Sequence, residues 1–442
     1  MIVSDSFDRL ARLLEVLVDP KVGVIAYLME QPREHGTPDF IHYAARACDA
    51  SAITGVKNFR STGGAATSRD AAMAKALGEA VERYCGSIYD IRVLPLSTFA
   101  DAQFECMHPS EFSLYSKTQY RQNDFLFGPF TESTPVRWCP SLDLISKREV
   151  SVPAAMVYVP YFFVPDIGER PIVQPMSTGL ACHQTYAKAV TSAVCEVIER
   201  DAFSIVWLAR VSPPRIRQET LDPANKDRLR RFERSGCEVI LLDLTLDIRV
   251  PTVLAVQRNK RDGCPPIAFA AATGGSPKES VQKSLEELAH TYRYMRHILI
   301  NCRRLNRAEF FRNILNQEDH LNLWADREML GAADFLFSSD SRVNADELPD
   351  HSGRHVEDEM WSIVNAVRRA GYRTLISDVT THDVRRIGLF VVRAIVPGLH
   401  SLFWNHSFRS LGGSRLYAAP QRCGFSGINT EDEANPIPHP YP

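Results

Sequence analysis

The chain has 442 residues, 45% hydrophobic and 24% charged, with a formal net charge of −2. That balance suits a globular protein long enough to bury a sizeable core, and it lacks the long basic run of a nucleic-acid-binding surface. No stretch reaches the ~20 apolar residues of a membrane helix. The acid-containing N-terminus, MIVSDSFDRLARLLEVLVDP, lacks the basic-then-apolar pattern of a signal peptide. Ten cysteines are scattered without a C-x-x-C pair, which fits reduced thiols in a cytoplasmic protein and offers no zinc site.

In chain order, residues 5–18 have the spacing of a helix, and VGVIAYLME (22–30) and FIHYAARACD (40–49) that of strands. FRSTGGAATSRD (59–70) reads as a Gly-rich loop that opens a helix, with Ser68 as N-cap. Residues 87–170, rich in proline and aromatics, read as strands and long connections. QPMSTGLACHQT (174–185) repeats the earlier design, a Ser-Thr-Gly loop feeding a helix capped by Thr185. CEVILLDLTLD (237–247) and PTVLAVQRNK (251–260) have buried-strand patterns. Residues 266–298 give a third strand–loop–helix, with Gly274-Gly275 before a helix carrying Glu286, Glu287 and His290. The polar stretch 305–355 reads as an exposed insertion or linker. Residues 357–381 predict a helix and then a strand. IGLFVVRAIVPGL (387–399) is a strand holding one charge, Arg393, which is either paired or aimed at an anion. Prolines at 436, 438, 440 and 442 force an extended C-terminal tail. Such a tail is either a disordered end or a stiff arm carrying its carboxylate to a fixed place.

Two of the predicted helices share the pattern x-A-x-x-E-x-[VI]-E-R: Lys75 to Arg83, with Glu79 and Glu82, and Ser192 to Arg200, with Glu196 and Glu199. At 3.6 residues per turn, positions 1, 5, 8 and 9 of each copy share one stripe. The second copy lies in AKAVTSAVCEVIERDAFSIVWLA, which is apolar around most of its circumference. Charges in so buried a helix must be paired or hold a metal. Solvated i,i+4 ion pairs are the plain alternative. The chain carries neither a P-loop lysine motif nor a dinucleotide G-x-G-x-x-G. Clustered glutamates beside arginines suit Mg²⁺ and a nucleotide triphosphate, because Mg²⁺ takes carboxylates together with phosphate oxygens.

STGGAATSRDAAMAKALGEAVERYCG, STGLACHQTYAKAVTSAVCEVIERDAF, DVTTHDVRRIGLFVVRAIVPGL and the terminal PIPHPYP together resemble the YcaO family. More narrowly, they resemble the azoline-forming cyclodehydratases that modify ribosomal peptides. The resemblance implies an α/β fold of α+β type, with repeated loop–helix elements packed on mixed sheets. It places an N-terminal segment at 1–50 and a YcaO catalytic domain at 51–442, ending in the Pro-rich tail 431–442. It implies ATP and Mg²⁺ as cofactors, with Glu79, Glu82, Glu196 and Glu199 as metal ligands. Lys75, Glu79, Arg83, Gln184, Ser192, Glu196, Arg200 and Arg393 are implied on ATP. Pro438, Pro440 and Pro442 are implied at the catalytic centre, with the Pro442 carboxylate placing or deprotonating substrate. The implied reaction converts Cys, Ser or Thr of a precursor peptide to an azoline by phosphorylating a backbone amide oxygen. Thioamide or amidine formation by the same activation, and a non-catalytic ATP-binding scaffold, are the alternatives. Implied partners are the precursor peptide, an E1-like leader-binding protein and, optionally, an FMN-dependent dehydrogenase. A homodimer or hetero-oligomer is expected, with no nucleic acid and no membrane.

Overall fold

A computed structural model describes residues 2–55, 57–305 and 311–441. Helix α1 (Ile2–Leu17) precedes the antiparallel strands β1 (Ile25–Glu30), β2 (Ile41–Ala47) and β3 (Ser61–Ala66), with the single turn α2 (Ser51–Thr54) between the last two. β2 pairs with β3 from Ile41↔Ala66 to Arg46↔Ser61, so one sheet spans position 50. Helix α3 (Arg69–Cys85) follows, capped by the Ser68 side chain. Residues 86–179 then form short strands β4 (Leu96–Ser97), β5 (Val136–Cys139), β6 (Leu142–Asp143) and β7 (Val152–Pro153) around the turn α4 (Lys117–Tyr120).

β8 (Leu180–His183) leads into α5 (Tyr186–Leu208), capped by Thr185. β9 (Arg215–Ile216) and α6 (Pro223–Arg234) precede β10 (Glu238–Asp243), β11 (Thr252–Arg258) and β12 (Ile267–Thr273). Helix α7 (Pro277–Asn301) comes next, capped by Ser276. The chain continues through α8 (Gln317–Trp324), β13 (Arg342–Val343), α9 (Val356–Arg369) and β14 (Leu375–Asp378). It finishes with α10 (His382–Arg386), β15 (Phe390–Ile395) and α11 (Ser414–Arg422). The larger sheets run in the orders β12-β11-β10-β9-β13 and β6-β14-β15-β8. This is the α+β arrangement of mixed sheets and helices expected from the sequence.

The three capped helices exchange partners. Helix α3 packs on its own β3 and also on β8, α5 on β8 and also on β12, and α7 on β12 and also on β3. Three strand–turn–helix units therefore close a ring, and their helices face a common centre.

Two stretches read as Gly-rich loops are strands: STGGAA is β3, and LACH, from the second loop, is β8. Close packing explains the glycine at position 64. A Cβ there would lie 2.6 Å from the Ala72 carbonyl oxygen and 2.7 Å from Lys75 Cβ, so only glycine lets β3 and α3 approach so closely. Gly64→Ala should force the helix off the strand and cost about 2 kcal/mol, measured from the urea midpoint.

Part of the polar stretch 305–355 is packed rather than exposed, whereas most of residues 338–355 are partly or fully exposed. Trp324 is fully buried, and Leu321, Leu323, Ala333 and Leu336 join the central core with Trp207 and Phe269. The polar residues between them obscure this apolar face in the sequence. Residues 306–310 of that stretch lie outside the described residues.

Candidate functional site

The central cleft has a volume of about 570 Å³. Helix α3 supplies Lys75, Glu79, Glu82 and Arg83 to its wall, and α5 supplies Ser192, Glu196, Glu199 and Arg200. Tyr441, from the C-terminal tail, completes one side. The spacing of each motif sets its side chains along one helix face, and the ring of units turns the two faces toward one another.

The carboxylates are held by backbone amides as well as by cations. Cys182 N–H donates to Glu82 at 2.8 Å, Gly63 N–H to Glu79 at 3.3 Å and Thr273 N–H to Glu199 at 3.2 Å. Cys182 lies in β8 and Thr273 in β12, so each of these strands holds a glutamate from a neighbouring unit's helix, whereas Gly63 of β3 holds Glu79 of the α3 that follows it. Arg83 donates to Glu79 at 3.1 Å, one turn away on α3. Arg200 lies 3.8 Å from Glu196 and 3.5 Å from Glu199. Its guanidinium sits 4.5 Å over the Tyr441 ring, while the Tyr441 hydroxyl donates to Glu199 at 2.5 Å.

Burial sets the electrostatics. It lifts the carboxyl of Glu82 well above the usual range, reinforced by the neighbouring charges of Glu79 and Glu196. Burial also raises Glu196, against the opposing pull of Arg200, Arg393 and Arg83. Glu199 is pushed up to about 7 by burial, with Arg200 opposing. Three carboxylates short of positive charge invite a cation. Among the described residues no three His, Cys, Asp or Glu groups converge into a ready-made metal site. That agrees with Mg²⁺, which takes one or two carboxylates and completes its shell with phosphate oxygens and water. The hard oxygen donors therefore fit Mg²⁺, and Arg83 and Arg200 fit the phosphates that would accompany it.

Of the other predicted residues, Gln184 and Arg393 fall outside the cleft. Gln184 does not line the cleft, and its N–H donates to His183 Nδ1 at 2.9 Å. Arg393 donates from Nε to the Met156 carbonyl at 2.9 Å and from Nη2 to the Met176 carbonyl at 2.7 Å. Among the described residues it has no ion-pair partner within bonding distance, and it does not line the cleft, although it acts electrostatically on Glu196. Lys75 reaches the cleft wall, yet its ammonium lies 2.8 Å from Glu286 of α7. Glu286 also pairs with Arg228 at 3.0 Å and is buried behind the wall, leaving Glu287 and His290 in the cleft. Pro438 and Pro440 are buried in the docked tail, and Pro442 lies outside the described residues.

Sequence reasoning passed over Tyr441 and Lys283, both of which line the cleft. Tyr441 stood inside the proline-rich motif itself. Lys283 precedes Glu287 by one turn in the third helix and pairs with Glu279 at 2.8 Å.

The tail contains one buried histidine, His439, and packs beside two more, His320 and His406. Burial pushes His320 down to about 4 and His406 to about 3, and holds His439 well below its ordinary value. Neighbouring positive charges, Arg409 beside His406 and Arg200 beside His439, act the same way. Unfolded histidine takes a proton near pH 6.5, whereas these three stay neutral until far lower. Their contribution to stability is therefore complete above pH 6.5 and is lost as pH falls toward 4. Melting temperature measured across that window should drop steadily, and His406→Gln should flatten the slope.

The family profile described as YcaO cyclodehydratase, ATP- and Mg²⁺-binding, matches residues 63–400. An uncharacterized protein in the tfuA 3′ region of Rhizobium leguminosarum bv. trifolii is 37% identical over 131 residues, covering 28% of this chain and 30% of that protein. A heterocyclase in complex with substrate and cofactor superposes with a TM-score of 0.81 at 21% identity, covering 98% of this chain and 57% of that one. YcaO from Methanopyrus kandleri, bound with AMPPCP and Mg²⁺, superposes with a TM-score of 0.65 at 19% identity over 89% of this chain and 91% of that one. The chain thus spans well under two thirds of the Rhizobium protein and of the heterocyclase. The profile match and the shared fold place this chain in the YcaO cyclodehydratase family, whose cofactors are ATP and Mg²⁺.

Proposed function

We propose that this chain is an ATP-dependent cyclodehydratase acting on Cys, Ser or Thr residues of a ribosomal precursor peptide. One observation carries the reading: Glu82, Glu196 and Glu199 face one cleft with their carboxyls raised by burial, beside Arg83 and Arg200. In this reading Glu79, Glu82, Glu196 and Glu199 would hold Mg²⁺ ions, one or two carboxylates to each ion, together with phosphate oxygens. Arg83 and Arg200 neutralise phosphate charge, and Ser192 and Lys75 border the nucleotide. Gln184 takes no part, and Arg393 acts only through its field on Glu196. ATP supplies the phosphoryl group that turns a poor amide oxygen into a leaving group. The substrate's side-chain nucleophile attacks the preceding carbonyl, and the carbonyl oxygen departs as phosphate to leave a thiazoline or oxazoline. Tyr441 fixes Glu199 and lies under Arg200, which keeps both oriented. In the same proposal an E1-like protein presents the precursor leader, and an FMN-dependent dehydrogenase acts on the azolines afterwards.

Mass spectrometry of a candidate precursor incubated with the chain, ATP and an E1-like partner tests this. The expected result is loss of one water per modified residue, dependent on ATP. Exchange of oxygen for sulfur without loss of water would assign a thioamide instead, and an unchanged precursor with unchanged ATP would defeat the catalytic reading.

A further inference from the structure

Residues Asn435–Tyr441 lie between the C-terminal part of α5, helix α8 and residues 403–409. Prolines at 436, 438 and 440 remove every second N–H from this segment, so it cannot dock by ordinary strand pairing. Its carbonyls do the work instead. Five consecutive ones each accept a side-chain hydrogen bond from the body of the protein. Arg409 Nη1 donates to Asn435 O at 3.1 Å and His406 Nε2 to Pro436 O at 2.9 Å. Trp207 Nε1 donates to Ile437 O at 2.9 Å and Trp324 Nε1 to Pro438 O at 2.9 Å. His320 Nδ1 donates to His439 O at 2.7 Å. Its other nitrogen lies 2.9 Å from Trp404 O, and the single N–H of the neutral ring is assigned to Nδ1, which makes the shorter contact.

The polar side chains of the segment add bonds of their own, among them Asn435 Nδ2 to Trp207 O at 3.2 Å. His439 packs its ring on His320 at 3.9 Å between centroids and donates to Phe403 O at 2.8 Å. Beyond this rack, past Pro440, comes Tyr441, at Glu199 and Arg200. Buried carbonyls left without donors are costly, so each donor fixes the tail's position along the groove as well as its presence there.

We propose that Arg409, His406, Trp207, Trp324 and His320 are positioning residues that bind the chain's own C-terminus by its carbonyls, making this groove a preformed receptor for an extended proline-rich peptide. The receptor sets the register that delivers Tyr441 to the carboxylate cleft. That delivery matters for catalysis only if the Mg-ATP reading holds, but the binding itself does not depend on it.

The test starts from the full chain. A specific protease site replaces the exposed stretch 431–433, and the chain is cut only after it has folded. The severed tail should co-elute with the body on gel filtration. It should be displaced by excess synthetic peptide of residues 434–442, and a labelled copy of that peptide should bind saturably to the emptied groove. A reversed-sequence peptide should do neither. Trp324→Phe keeps the ring but removes the N–H, and should speed loss of the severed tail about tenfold. Added peptide restoring the wild-type melting curve of the emptied body would separate a binding site from general damage. Immediate loss of the tail, unfolding of the body on cutting, equal displacement by the reversed peptide, or an unchanged rate in Trp324→Phe would each overturn the proposal. No step uses nucleotide, so failure here and failure of the Mg-ATP reading are distinct results.

Discussion

Glu196→Gln is expected to cut ATP turnover by at least about 100-fold while leaving the melting temperature unchanged or higher. The turnover estimate follows from the cost of disturbing groups around a metal, where even indirect partners cost about 10- to 100-fold. The stability estimate follows from the environment of the carboxyl. Burial raises its proton affinity above the unfolded value, so at neutral pH the ionised form is disfavoured in the folded protein. Glutamine keeps the shape and removes that penalty. A residue that only braced the fold through Arg200 would behave the opposite way, losing stability and sparing chemistry. Phosphate release and thermal melting on the same sample separate the two, and undiminished phosphate release would remove Glu196 from the metal site.

Asp201→Ala, one residue beyond the motif, should cost about 4 kcal/mol of stability. Asp201 follows Arg200 in sequence but faces away from the cleft. Its carboxylate receives Arg415 Nε at 2.8 Å and Nη2 at 2.8 Å, and also His400 N–H at 2.7 Å. Both partners are nearly inaccessible, Asp201 at 1% and Arg415 at 2% exposure. Removing one charge leaves the other buried with fewer partners, although Asp247 still pairs with Arg415 at 2.8 Å. The double change Asp201→Leu with Arg415→Met should recover much of the loss, because a buried pair offsets its desolvation cost only partly. A double variant as unstable as the sum of the two single changes would point to packing rather than charge. The contrast with Glu196 divides one helix into a stretch serving the cleft and a stretch holding α11 to the core.

Much of the site was legible in sequence because helices are local. The E-x-x-E-R spacing sets glutamate and arginine on one stripe whatever surrounds it, and Ser68 and Thr185 each cap a helix by accepting a backbone N–H three residues on. The near-continuous apolar run of α5 announced a buried helix, and the repeated design announced paired elements.

What the tertiary structure decided depends on contacts between distant residues. That β8 holds Glu82 and β12 holds Glu199 follows from the exchange of helices among the three units, and neither spacing nor propensity encodes that exchange. Glu286 and Glu287 are adjacent in sequence, yet packing turns one toward Lys75 and Arg228 and the other into the cleft. Arg393 had a carboxylate or an anion as expected partners, and the fold gave it two backbone carbonyls instead, which sequence does not display as acceptors. The tail shows the limit most clearly. Its prolines dictate an extended chain without donors, and that much is local. Where it goes depends on five donors between Trp207 and Arg409, scattered over about 200 residues and brought into one line only by the folded core.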